Sequence, residues 1–310
     1  MSWYQQLPHR ELGRIVGPEP GATLVVVAAI HGNEPAGLEA MRRVLAVLAP
    51  EHIRGEIVAF VGNHAAVKRG VRYLTSDLNR AWRHEQISDI RSRDGLEHEL
   101  AELRELHGEL EAAEARSRGP MHLADLHTSS APGVPFMMLA NDDAHRAFVQ
   151  HFGMPAMMGL DAHIAGVLSN YASSLGWTAF AAEGGQHEAA SSVDALEAAV
   201  WQSLDATGQL VGDVHAARVQ QSRGELDRMR GDLPRFLAVS GRHAIVEADD
   251  FVMEPGFRNI HRAQRGQLLA RDARGEIRAQ EDGLVILPLY QGLGSDGFFW
   301  GRELQTRSSG

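Results

Sequence analysis

Residues 23–30 read TLVVVAAI, and this unbroken apolar run constrains the fold more than any other stretch of the chain. A strand without alternation has no face to offer water, so it belongs inside a sheet covered on both sides. The run stops at His31-Gly32-Asn33-Glu34-Pro35, and from Ala36 to Ala49 the residues Leu38, Met41, Leu45 and Leu48 recur at helical spacing. Pro35 suits the first turn of that helix, where its missing N–H costs nothing. Strand, tight turn and helix make a first βα unit.

The pattern repeats. Glu56–Gly62 gives a second strand, followed by a polar stretch from Asn63 to Arg83. Glu97–Arg116 predicts a long helix with Leu100, Leu103, Leu106 and Leu110 on its stripe, and its many Glu and Arg residues read as a solvated face. Met121–Leu126, Pro135–Ala140 and Trp177–Ala182 add strands, with helices near Asp142–Phe152 and Ser192–Leu204. The alternation predicts an α/β sheet with helices on both faces. After Gly212 the rhythm changes. Short strands punctuated by Gly, Pro and Asp from Phe236 onward predict a smaller β-rich C-terminal domain, with residues 214–232 as the connection. The expected division is therefore 1–212 and 213–310.

The 310 residues include 30 Lys+Arg and 40 Asp+Glu, a formal net charge of −10 that argues against a nucleic-acid partner. The chain has no Cys, which excludes disulfides, thiolate catalysis and cysteine metal sites, but it has 16 His. No run reaches the roughly 18 apolar residues of a membrane span, and the N-terminus lacks a signal-peptide core. The expected location is the cytoplasm. A homo-oligomer stays open.

Two features fall at the C-terminal ends of buried strands, where ligands gather in open α/β sheets: His31-x-x-Glu34 after the first and His127 after the third. Alone, the HxxE reads as an incidental loop. With a second strand-terminal His it makes a three-ligand set for catalytic zinc, and Gly32 would allow the tight turn. The segment RYLTSDLNR, residues 72–80, offers Arg72, Asp77, Asn79 and Arg80 for holding a carboxylate, although composition alone favours a surface ion-pair cluster. Glu183, followed by two Gly, is either a charged strand end or a general base beside a metal. His98, His107, His145, His151 and His215 fall in helical or linker segments and read as exposed.

Together, HGNEPAG at 31–37, RYLTSDLNR at 72–80, DLHTSS at 125–130 and EGG at 183–185 resemble the succinylglutamate desuccinylase/aspartoacylase family of the zinc carboxypeptidase superfamily. The resemblance implies a zinc-carboxypeptidase-like mixed sheet in residues 1–212, followed by the β-rich domain. It also implies one zinc ion per chain on His31, Glu34 and His127, with Glu183 as catalytic Glu. Asn79 and Arg80 match the substrate-binding pair and Arg72 a further substrate-side Arg, which we assign to the oxyanion; Asp77 would steady the Arg80 guanidinium. The implied partner is a small N-acyl amino acid, cleaved at its amide bond. A peptide carboxypeptidase and a non-catalytic binder of zinc or acyl amino acids are the rivals. One departure is His64 after Asn63, where the family usually has Pro.

Overall fold

The apolar run forms a strand buried along its whole length in the computed structural model, which describes residues 2–150 and 152–304. The elements in chain order are β1 (Glu11–Val16), β2 (Thr23–Ala28), α1 (Ala36–Val47), β3 (Glu56–Val61), α2 (His64–Arg69), α3 (His84–Ser92), α4 (His98–Arg116) and β4 (Met121–Ser129). Then come β5 (Phe136–Leu139), α5 (Asp143–Val149), β6 (Ala156–Met158), α6 (Leu168–Ser174), β7 (Thr178–Gln186), α7 (Ala190–Ala206) and α8 (Ala216–Arg230). The C-terminal part holds β8 (Phe236–Ala244), β9 (Val252–Met253), β10 (His261–Ala263), β11 (Leu268–Asp272), β12 (Gly275–Arg278), β13 (Gly283–Ile286) and β14 (Asp296–Glu303).

Strands β3, β2, β4 and β7 lie side by side in parallel, the arrangement that the uninterrupted apolar sequence requires. Successive residues of β2 serve opposite faces. Leu24 and Val26 pack with Met41 and Val44 of α1 and Leu196 and Trp201 of α7, while Val25 and Val27 pack with Leu103, Leu106 and Leu110 of α4. The sheet is mixed, because β1 and β5 run antiparallel to their neighbours β3 and β7. It also continues past position 212: β6 pairs with β8, and the order runs on through β14, β13 and β10, while β9, β11 and β12 form a separate small sheet. No helix among the described residues is long and apolar enough to cross a membrane.

Three sequence expectations need correction. Residues 214–232, expected only as the connection, hold a helix that belongs to the core, since α8 packs along α7 and sends Leu226 into the core shared with Trp201. The charged helix α4 does not leave all its acids in water: Glu99 and Glu102 are buried. Nor are His107, His145 and His215 exposed. Their rings pack as flat apolar bodies with satisfied nitrogens: His145 lies 2.7 Å from Asp142 and accepts the Ala179 N–H at 3.1 Å, His107 meets the Tyr171 hydroxyl at 2.9 Å, and His215 lies against Trp201. His98 is exposed as expected, and His151 lies outside the described residues.

Candidate active site

The first βα turn carries two of the site's side chains, and its shape differs in detail from the expectation. Ala29, not Gly32, takes the left-handed backbone conformation, with φ 57°. Gly32 is needed for a different reason: a Cβ there would lie 2.3 Å from the Ala66 carbonyl carbon, so only glycine lets the turn nest against α2. That helix is capped by Asn63, whose side chain accepts the Ala66 N–H at 3.0 Å. His64 then stands at the first helical position, one that suits Pro, and here its N–H is used by Glu102.

His31, Glu34 and His127 are buried together, and one donor atom of each lies within 4.8 Å of the others. Both imidazoles present Nδ1 to Glu34, His31 at 2.9 Å from Oε1 and His127 at 3.1 Å from Oε2. Behind them, His31 Nε2 lies 3.0 Å from Asp77, and His127 Nε2 lies 2.9 Å from the fully buried Asp125 and 3.3 Å from the Asn79 amide. Two nitrogens and a carboxylate facing inward, each ring backed by a further carboxylate, is a donor set suited to a divalent metal such as zinc. The charges agree. Burial alone would raise the Glu34 carboxyl, but the adjacent His31 and His127 hold it well below the usual range. Burial would lower His127, yet Asp125 and Glu34 raise it well above an ordinary histidine.

Glu183 reaches the same cavity from the next strand. In the parallel β4–β7 ladder its register partner is His127, so the two side chains emerge from one face. Gly185, at φ 126°, then turns the chain in a way that L side chains rarely adopt. Glu183 is buried, and its Oε2 has no hydrogen-bond partner among the described residues. Burial pushes its carboxyl up to about 7, with nearby Glu34 adding to the rise and His127 opposing it. A bound cation would pull it back down.

The segment 72–80 lines the opposite side. Arg72 donates to Glu34 and Asp77, each at 3.2 Å, and its Nη2 lies 3.0 Å from His31 Nε2. Asp77 therefore braces His31 and Arg72. The partner of Arg80 is Asp296, at 2.7 Å, contributed by β14. Asn79 is buried; its side-chain oxygen accepts the Leu168 N–H at 2.8 Å, which fixes the amide beside His127.

The sequence reading assigned no role to Glu99, Asp125 or Asp296. For Asp125 a signal exists, because i and i+2 on a strand share a face and so Asp125 must stand beside His127. Glu99 gives none, since nothing in the α4 sequence distinguishes it from its solvated neighbours. Its carboxylate accepts from the backbone N–H of Leu74, Thr75 and Ser76, the Thr75 hydroxyl and the Asn63 amide, which pins the loop carrying Arg72 and Asp77. Replacing Glu99 by Ala strands several buried donors and is expected to cost about 3 kcal/mol or more in a urea melt. Turnover should fall while metal content is retained.

His31, Glu34, Arg72, Asp77, Asn79, Arg80, His127 and Glu183 line one cleft of about 990 Å³ including its mouth, and the C-terminal residues Leu287, Leu289, Asp296 and Phe299 form part of its wall. Residues 20–204, more than half of the chain, match the family model of the succinylglutamate desuccinylase/aspartoacylase catalytic domain. The chain belongs to this family. It is 41% identical over 85 residues to the succinylglutamate desuccinylase of Ectopseudomonas mendocina and 34% identical over 82 residues to that of Pseudomonas paraeruginosa. Each match spans about a quarter, 25%, of the relative's own length.

The likeness in fold to family structures reaches further. The succinylglutamate desuccinylase/aspartoacylase of Rhodobacter sphaeroides superposes with a TM-score of 0.71 at 15% identity, covering 94% of this chain and 88% of that one. The product-bound ectoine utilization protein EutE (DoeB) of Ruegeria pomeroyi gives 0.63 at 20% identity, covering 92% and 87%. His31, Glu34, Arg72, Asp77, Asn79, Arg80, His127 and Glu183 all fall inside the span matched to the family catalytic domain, whereas Asp296 lies beyond it.

Proposed function

We propose that this family member is a zinc-dependent hydrolase that cleaves the amide bond of a small N-acyl amino acid. The observation that carries the reading is the pairing of an inward-facing His31–Glu34–His127 donor set with the buried, unpartnered carboxylate of Glu183 in one cleft. His31, Glu34 and His127 would hold the zinc ion, which when bound would supply Lewis acidity toward a carbonyl and make water nucleophilic at neutral pH.

The chain's own groups supply the rest. Glu183 takes a proton from the attacking water and hands it to the leaving amine nitrogen, as general base and then general acid. Arg72, held from behind by Glu34 and Asp77, donates to the oxygen on which charge develops. Asn79 and Asp125 hold the His127 ring. Arg80 is the seat for one substrate carboxylate, which takes the place of Asp296 on the guanidinium while Arg242 keeps that aspartate. The wall contributed by 287–299 favours a small substrate over a peptide groove. Turnover of N-acyl amino acids, turnover of peptides, and binding without turnover, measured on one zinc-reconstituted sample, separate this reading from its rivals.

A linked prediction concerns protons. A ligand imidazole must be neutral, yet in the metal-free protein Asp125 and Glu34 raise His127 well above an ordinary histidine and so favour its protonated form. Zinc uptake should therefore be accompanied by proton release, and affinity should weaken as pH falls. Calorimetry in two buffers of different ionisation enthalpy measures this. Uptake with no proton release would remove His127 from the ligand set.

A further inference from the structure

We propose that the substrate carries a single carboxylate and an otherwise apolar body, so that N-acyl amino acids with one acid group are preferred over those with two or three, and that Asp296 sets this preference. The inference rests on the deacylase reading and goes on to name the substrate class.

The first argument counts cations. Among the described residues lining the cleft the only Arg or Lys side chains are Arg72 and Arg80, and they face four carboxylates: Glu34, Asp77, Glu183 and Asp296. A divalent metal would bring that balance to neutral, and the charges just behind the lining, Arg242 on Asp296 and the buried Asp125 on His127, cancel, so no surplus positive charge is left for a polyanionic substrate.

The second argument is geometric. A guanidinium grips a carboxylate through two adjacent N–H groups. In Arg72, Nη1 is committed to Glu34 and Nη2 to Asp77, and Nε is buried without a partner. In Arg80, Nη1 donates to the Asn79 carbonyl at 2.9 Å, Nη2 donates to Asp296, and Nε is again buried. In neither side chain are two adjacent nitrogens free of a partner, and the second Nη1–H of Arg72 is the donor assigned to the developing oxyanion. Asp296 can yield such a pair: its other oxygen is held by Arg242, so it can release Arg80 to an incoming carboxylate without being left bare. That exchange happens once. A second carboxylate meets no guanidinium with a pair of uncommitted nitrogens.

The third argument is what the remaining surface offers. Met138, Leu160, Ile164, Val167, Leu289 and Phe299 line the cleft, and Met138, Ile164, Val167 and Phe299 belong to one apolar cluster that continues into the C-terminal strands. An aliphatic acyl or side chain gains contact there, whereas a carboxylate would be desolvated without compensation.

The test is a panel of N-pentanoyl-leucine, N-succinyl-leucine, N-pentanoyl-glutamate and N-succinyl-glutamate on zinc-loaded protein. Pentanoyl and succinyl differ by one terminal acid group at similar length. We expect kcat/KM to fall on the order of 30-fold or more for each added carboxylate. Asp296→Asn, which removes a carboxylate and opens the Arg80 fork, should narrow the gap between one-acid and two-acid substrates about tenfold. Calorimetric binding of the same four compounds ranks them without requiring turnover. This ranking without turnover of any compound overturns the deacylase reading and leaves the substrate class standing. N-succinyl-glutamate equal to or above N-pentanoyl-leucine overturns the substrate class and leaves the deacylase reading standing. Equal losses on all four compounds in Asp296→Asn reduce Asp296 to a structural brace and overturn its part in selection.

Discussion

Replacing Glu183 by Gln is expected to cut turnover by about 10²- to 10⁴-fold and, at the same time, to stabilise the metal-free protein. Gln keeps the shape but accepts no proton, so the first effect follows from lost acid–base catalysis. The second follows from burial. The Glu183 carboxyl stands at about 7 in the folded chain, above its ordinary value, so the unfolded chain gives up this proton first as pH rises. Stability is therefore lost between the ordinary value and about 7, and stays lost above it. A shift of that size corresponds to at most about 3 kcal/mol. Above neutral pH the metal-free Glu183→Gln protein should melt a few degrees higher than the parent, and below about pH 4 the two should coincide. A variant with full activity would move the base elsewhere. An unchanged melting temperature at pH 8 would mean that Glu183 is solvated in the metal-free chain.

His31→Ala or His127→Ala should abolish stoichiometric zinc binding and lower turnover by more than about 10³-fold, since Lewis-acid chemistry supplies several kcal/mol of the barrier reduction. Elemental analysis of protein purified without chelator gives the first readout and steady-state kinetics the second. The control is His98→Ala, because His98 is exposed, whereas His145 is buried and bridges Asp142 to β7. Retention of one zinc per chain in both ligand variants would place the metal away from this cluster. Asp125→Asn should show a graded effect, weakening zinc by about 10- to 100-fold through the orientation of the His127 ring.

The parts of this molecule that could be read in the sequence are those where one physical rule dominates. An uninterrupted apolar run can only be a doubly covered strand, so β2 and the βα turn that follows it could be placed from residues 23–37. Ligands at the ends of parallel strands follow from topology, and this is why His31, Glu34, His127 and Glu183 come to share one cleft. Helix α8 is different. Its apolar positions are few and its charges many, so nothing in residues 214–232 announces a helix until α7 offers a surface to cover. Glu99 was illegible for a related reason: its worth lies in donors 23 to 36 residues away in sequence. The pairing of Arg80 with Asp296 was illegible too, since it joins positions 216 residues apart through a strand order that local patterns do not encode.

The strand order also separates two kinds of inheritance. The proposed metal ligands and Glu183 sit on, or in the turn just after, the parallel strands β2, β4 and β7, where a shift of one position would turn the strand-borne side chains to the wrong face. Asp296, Phe299 and the residues near 287–291 hang instead from the antiparallel strands β13 and β14 and the loop between them, which bear none of the proposed metal ligands. Insertions, deletions and drift in that loop can reshape what enters the cleft while the reacting groups stay in register. A lineage built this way can change its diet without reinventing its teeth.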